Sequence, residues 1–148
     1  MNEIMTKNLD ELLCQKYPEI FRDRHAPMDQ TAMCWGFACG DGWFTLIDVL
    51  CASLMASVRD NGSSVPVAVQ VKEKFGGLRF YVNGGTEAQH AMIAFAEDMS
   101  YRVCEDCGTT KDAKLRRGDW HRTLCSTCAF ADGRQIETES DDSQLWGV

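Results

Sequence analysis

The chain lacks any stretch that approaches membrane-spanning length, and its start, "MNEIMTKNLDELLCQKYP", has neither the basic opening nor the apolar run of a secretory leader. These absences predict a soluble protein of the cytoplasm with no membrane partner. No internal repeat or long low-complexity tract is present, and the glycines of "WGFACGDGW" fit neither G-x-G-x-x-G nor a phosphate-binding loop, which removes nucleotide binding by either motif. Positive charge is also scarce: 15 Lys and Arg stand against 22 Asp and Glu, a net −7. An acidic surface opposes extended contact with phosphate backbones, because such binding depends on cationic groups that release counterions. Any nucleic-acid contact would have to be local.

The chain does have length enough for one core with a small appended module, at 148 residues, and it has 8 cysteines. In the reducing compartment predicted above, paired cysteines read as metal ligands rather than disulfides.

Three helices and a hairpin follow from the patterning. Asn8 and Glu11 have the spacing of a capping box ahead of Leu9, Leu12 and Leu13, so a short helix is expected up to about Tyr17, ended by Pro18. Residues 22–33 lack a period and read as a surface connection. "CWGFACGDGWF" predicts a tightly turned, ring-packed segment, with Asp41 capping the helix that follows. That helix carries Leu46, Ile47, Leu50, Leu54 and Val58 at helical spacing. In "VAVQVKEKFGGLRFYV" two alternating runs meet at Gly76-Gly77, which predicts a hairpin over 67–82 with Phe75 facing Leu78 and Val71 facing Val82. Glu73 then falls on the apolar face, as a lapse at the sheet edge in preference to a carboxylate with a partner. Lys72, Lys74, Arg79 and Tyr81 share the other face. Thr86 and Gln89 form a second capping box, ahead of a helix with Ala88, Met92, Phe95 and Met99 as its inward stripe.

The strongest motif is C-x2-C-x17-C-x2-C at Cys104, Cys107, Cys125 and Cys128, the spacing of a four-cysteine zinc site. Two-residue gaps curl the backbone into knuckles that aim paired sulfurs at one ion, and "AKLRRGDWHRTL" can supply the intervening hairpin of a zinc ribbon. Four protein ligands leave no position for an activated water, so structural zinc is expected, worth about 10–16 kcal/mol in apparent terms at neutral pH. His121 is the one rival ligand nearby and reads instead as a strand histidine.

Residues 101–128 carry a formal +2 against −5 before them and −4 after. Four thiolates and one Zn²⁺ bring that module to about neutral. Arg102, Lys114, Arg116, Arg117 and Arg122 therefore read first as compensating cations around the thiolates, and second as contacts for nucleic acid or a partner. Lys72, Lys74, Arg79 and Tyr81 read first as a solvated hairpin face, and second as contacts for a partner, a phosphate-bearing ligand or single-stranded nucleic acid, held by charge and stacking. Cys39 lies before a helix, with His25 or His90 as conceivable bases, but no nucleophile motif surrounds it and core packing is preferred. Cys34 and Cys39 lack a partner pair for a second metal site, and Cys14 and Cys51 lie on apolar helix faces. Beyond Cys128 an acidic tail ends in "LWGV", whose Leu145 and Trp146 can dock on a partner or on the same domain.

At "MCWGFACGDGWFTLID", "QVKEKFGGLRFYV" and "MSYRVCEDCG...TLCSTC", in this order, the chain resembles a family of small, mostly uncharacterised proteins encoded by tailed bacteriophages and prophages. The resemblance covers about residues 9–128. It implies a phage accessory protein in the bacterial cytoplasm with Cys104, Cys107, Cys125 and Cys128 as its metal pairs, and it brings no catalytic residues. Together these readings predict an α+β fold of helices packed on a small antiparallel sheet. A core over 1–101 precedes a zinc ribbon over 102–128 and an acidic tail over 129–148. The expected function is non-enzymatic: binding and modulating a host protein, such as a defence or nucleic-acid-processing factor, with a nucleic-acid-binding zinc ribbon as the alternative.

Overall fold

A computed structural model describes residues 4–134. Its elements are α1 (Lys7–Lys16), β1 (Phe37–Ala38), α2 (Phe44–Asn61), β2 (Val67–Lys74), β3 (Gly77–Asn83), α3 (Glu87–Ser100), β4 (Lys114–Arg116), β5 (Arg122–Leu124) and α4 (Ser126–Ala131). The architecture is α+β, as expected, but its main sheet is mixed. β1 pairs in parallel with β2, Phe37 opposite Val71, while β2 and β3 form the antiparallel hairpin. Two residues of "WGFACG" thus become a strand, too short to carry a period in sequence.

The hairpin register differs from the one expected. Lys74 pairs with Gly77, Val71 with Phe80 and Ala68 with Val82, so the turn residues are Phe75 and Gly76. Both have positive φ, +54° and +84°, as the favoured two-residue hairpin turn requires. Gly77 is instead a strand residue, and its missing Cβ makes room for the Tyr101 ring. A bulge at Val69 then moves Ala68 and Val71 onto the core face together. Glu73 is no lapse: its Oε2 accepts the Gly76 amide at 2.6 Å and braces the turn.

One face of the sheet places Ala68, Val71, Leu78 and Phe80 against Ile47 and Leu54 of α2 and Ile93 and Ala96 of α3. Phe21, from the irregular segment after α1, meets Phe37 and Phe80 edge-on at 5.0 and 6.2 Å between centroids. β3 is an edge strand, and α3 covers its outward amides: Ser100 Oγ accepts from Leu78 and Glu97 Oε2 from Phe80. That removes an open template for strand pairing.

The helices correct four expectations. α1 begins after Thr6 rather than at Asn8. The Thr6 amide and hydroxyl both donate to Asp41, which is therefore held by the N-terminus instead of capping α2. The Thr86–Gln89 capping box of α3 forms in full, but its buried residues are Gln89, Ile93, Ala96 and Ser100. Of the expected stripe, Ala88, Phe95 and Met99 lie on the open side of α3, with Phe95 73% exposed, and Met92 is half-buried against the edge of the core. Within the aromatic segment Trp43 and Phe37 are buried, whereas Trp35 is largely exposed. Finally, Asp41–Asn61 is by length and composition apolar enough to cross a membrane, contrary to expectation. Here it is the central helix, burying Ile47, Leu50, Cys51 and Leu54 in the core.

Candidate metal centre

The sequence around Cys104 makes a tight knuckle because its backbone bonds close on themselves. The Cys104 carbonyl accepts from Gly108, and its amide donates to Thr109 O, both at 2.9 Å. The second knuckle opens α4, where the Cys128 amide donates to Cys125 Sγ at 3.4 Å and the Ala129 amide to Cys125 O. Between them β4 and β5 pair Lys114 with Leu124 and Arg116 with Arg122, so the hairpin returns the second knuckle to the first. α4 runs to Ala131, with Ala129 buried, and therefore continues the module past residue 128. The remainder of the expected acidic tail, with Leu145 and Trp146, lies outside the described residues.

All four sulfurs stand within 4.8 Å of one another. A tetrahedral ion with metal–sulfur bonds of about 2.3 Å spaces its ligands about 3.8 Å apart, and Cys107 and Cys125 are 3.8 Å apart. The donor set therefore fits a metal ion, with Cys104 and Cys125 buried, Cys128 half-buried and Cys107 exposed. Burial pushes the Cys128 thiol up, helped by its sulfur neighbours. Burial also opposes ionisation of Cys125, but the Cys128 amide and the surrounding thiols hold it below its ordinary value. His121 lies outside this cluster.

The module is fixed to the core through Glu105, a residue that sequence reasoning passed over. Its side chain is fully buried; Oε2 accepts from Gly40 at 2.9 Å, and its backbone oxygen accepts from Gly42 at 2.7 Å. Burial pushes its carboxyl up to about 7, against the opposing effects of the Gly40 amide and Arg122. Trp43 Nε1 donates to Val103 O at 2.8 Å just upstream. A Cβ on Gly42 would overlap the Cys104 carbonyl oxygen, so glycine is what lets the two backbones meet. On the other side Thr123 Oγ1 donates to Gly76 O at 2.7 Å, joining β5 to the main hairpin turn. The signal for this contact was the glycine pair of "CGDG" and a carboxylate inside the first knuckle, which only the fold brings together.

The expected basic contacts divide. Arg116 is 2% exposed, with Nε on Leu124 O and Nη2 on Asp112 O and Ser126 Oγ. Arg122 is buried against Asp106 at 2.7 Å and Glu105 at 3.4 Å. Both are internal struts, compensating carbonyls and carboxylates rather than facing a ligand, and Lys114 is buried too. Arg117, Lys74 and Tyr81 are exposed, while Lys72 and Arg79 are half-buried and paired across the strands. Cys39 is fully buried, and burial, then Glu105 and Asp41, push its thiol far up, which is opposite to what a nucleophile needs. His90 instead bonds Gly84 O. Cys34 donates to Thr31 O, Cys14 to Asp10, and Cys51 is buried in the core.

A second feature emerges from the misplaced α3 stripe. Between α2 and α3 opens a groove of about 910 Å³, lined by Phe44, Leu46, Val49, Met92, Phe95 and Met99 and closed at one end by Cys107, Gly108 and Thr110 of the first knuckle. Val49 is 57% exposed in it. Comparison of the chain with protein-family models, with curated proteins and with solved structures found no match to any of them.

Proposed function

We propose that this chain is a non-enzymatic accessory protein of bacteriophage type, acting in the bacterial cytoplasm, that binds and modulates a host protein through the α2/α3 groove. Zinc is the ion proposed for Cys104, Cys107, Cys125 and Cys128, in a structural role: four thiolates at tetrahedral spacing suit it and leave no site for a reacting water. The observation that carries the binding reading is the groove, since an apolar surface with Phe95 and Val49 this exposed costs solubility unless something covers it. Affinity purification from nuclease-treated host lysate, with zinc present, tests it. A specific host protein should be retained by the natural chain and lost with Phe95→Ser. Equal recovery by both would refute the groove as the binding surface.

One observation favours a second reading, nucleic-acid binding. Lys72 stands directly opposite Arg79, Tyr81 is exposed beside them, and Lys74 lies 5.6 Å over the exposed Phe75 ring. Like charges placed opposite each other repel, and an anion would relieve that. This reading requires affinity for single-stranded oligonucleotides that falls steeply with salt and weakens with Lys72→Glu. Absent or salt-insensitive binding removes it.

A further inference from the structure

The groove also specifies the form and charge of what fills it, and this inference rests on the protein-binding reading above. Its two long walls are helices, whose backbone amides and carbonyls are already paired within each helix. They offer an incoming chain no backbone partners. A segment laid there loses water from its own backbone and must satisfy those groups internally, which an α-helix does and an extended strand does not. The dimensions agree: Ala88, Ala91, Met92, Phe95 and Met99 run along α3 for roughly 16 Å at the helical rise, about three turns of a matching helix. Ala88, Ala91, Thr45 and Ser53 are small enough for close approach, and Met92 and Met99 adapt to varied side chains.

Charge selects among possible helices. The lining contains no Lys or Arg, and its one charged residue, Asp41, is already engaged by Thr6. The wall helices carry Asp48, Asp60, Glu87, Glu97 and Asp98 against Arg59 alone. Asp48 is paired with Lys16 and Glu97 with the Phe80 amide, which leaves Glu87 and Asp98 of α3 exposed. At the knuckle end Lys111, next to the lining residue Thr110, and Arg102, next to the lining residue Val103, are exposed cations, so the acidic flank is the one that Glu87 and Asp98 form along α3. A second copy of this chain would bring like charge to like, and so would its own acidic C-terminal residues. We propose that the α2/α3 groove receives an amphipathic α-helix with basic flanks from the partner protein, its apolar side against Phe95 and Val49.

Two fluorescein-labelled peptides of about 14 residues test this, identical in a Leu stripe at helical spacing and carrying either Lys or Glu elsewhere. Fluorescence anisotropy against the zinc-loaded full chain should show the Lys peptide binding at least about tenfold tighter than its Glu twin. Its binding should weaken about tenfold or more with Phe95→Ser and with Val49→Ser, and be unaltered by Lys72→Glu. A helical circular-dichroism signal should appear on binding. Equal or reversed preference overturns the charge assignment while leaving the groove as a protein-binding surface, and absence of binding by both peptides overturns the helix assignment. If Phe95→Ser has no effect on the peptides, the groove itself fails, and with it the reading above. Dimerisation lost with Phe95→Ser would assign the groove to a second copy instead. Peptide binding that appears only after deletion of residues 135–148 would assign it to the chain's own end.

Discussion

Replacing Gly42 by alanine tests how firmly the metal module is joined to the core. Gly42 needs no unusual backbone angle, so the cost of a side chain is steric: the new methyl would overlap the Cys104 carbonyl oxygen and press on the Glu105 backbone. Backbone cannot swing aside as a flexible side chain can, so the first knuckle must move. Moving it breaks or stretches three contacts, Gly42 N to Glu105 O, Gly40 N to Glu105 Oε2 and Trp43 Nε1 to Val103 O. Each is worth about 1 kcal/mol net, and up to about 3 where a buried group is left unpaired. A loss of about 3–6 kcal/mol follows, a large share of the roughly 5–15 kcal/mol that stabilises a typical domain. Urea unfolding with zinc held constant measures it, with Gly62→Ala as the control. Gly62 ends α2 at φ +67°, and a Cβ added there would meet no atom within 4 Å, so its cost is backbone strain alone, about 1 kcal/mol. If Gly42→Ala costs no more than Gly62→Ala, the close approach carries no energetic weight and the reasoning fails.

Other outcomes follow from the same geometry. Cobalt(II) titrated into the reduced, metal-free chain should give the absorption of a tetrahedral tetrathiolate, and Cys107→Ser should diminish it and lower the melting temperature. On α3, Phe95→Ser should change stability by less than about 0.5 kcal/mol, whereas Ile93→Ala should cost about 2–4 kcal/mol in chemical denaturation. The reverse ranking would restore the stripe expected from sequence. Hydrogen bonds from Lys16 and Tyr17 hold the Asp48 carboxyl below its ordinary range. Its contribution is therefore present above the unfolded carboxyl pKa, near 4, and lost as pH falls through the lower folded value. Asp48→Asn should cost about 1 kcal/mol at pH 7, discounted for the exposure of the pair, and the gap should close in strong acid.

The parts legible in sequence were those encoded within a few residues. The two C-x2-C knuckles and the Thr86–Gln89 box are local devices, and they form where their spacing places them. On α3, two stripes one residue apart compete: Met92, Phe95 and Met99 are the larger side chains, so apolar pattern favours them. Burial goes instead to Gln89, Ile93, Ala96 and Ser100, because Ser100 supplies the bond that β3 needs at Leu78. In the hairpin, two adjacent glycines hid which one turns, and the answer came from Tyr101, 24 residues beyond Gly77. Asp10 with Arg24, and Glu105 with Gly40, are likewise pairings of distant segments that no local pattern announces.

The meeting of Gly42 with the Cys104 carbonyl also constrains how this protein can change over evolutionary time. A ribbon linked to its host only by a flexible tether can be exchanged, duplicated or lost as a cassette. Here the helix-opening loop at 40–43 and the first knuckle at 104–108 share one backbone seam, and Thr123 fastens the opposite side to Gly76. A transplanted ribbon would have to bring the matching glycine loop from more than sixty residues away. Replacing either unit alone would leave the buried backbone groups of the seam unpaired, and substitution costs least at the surfaces that neither seam uses.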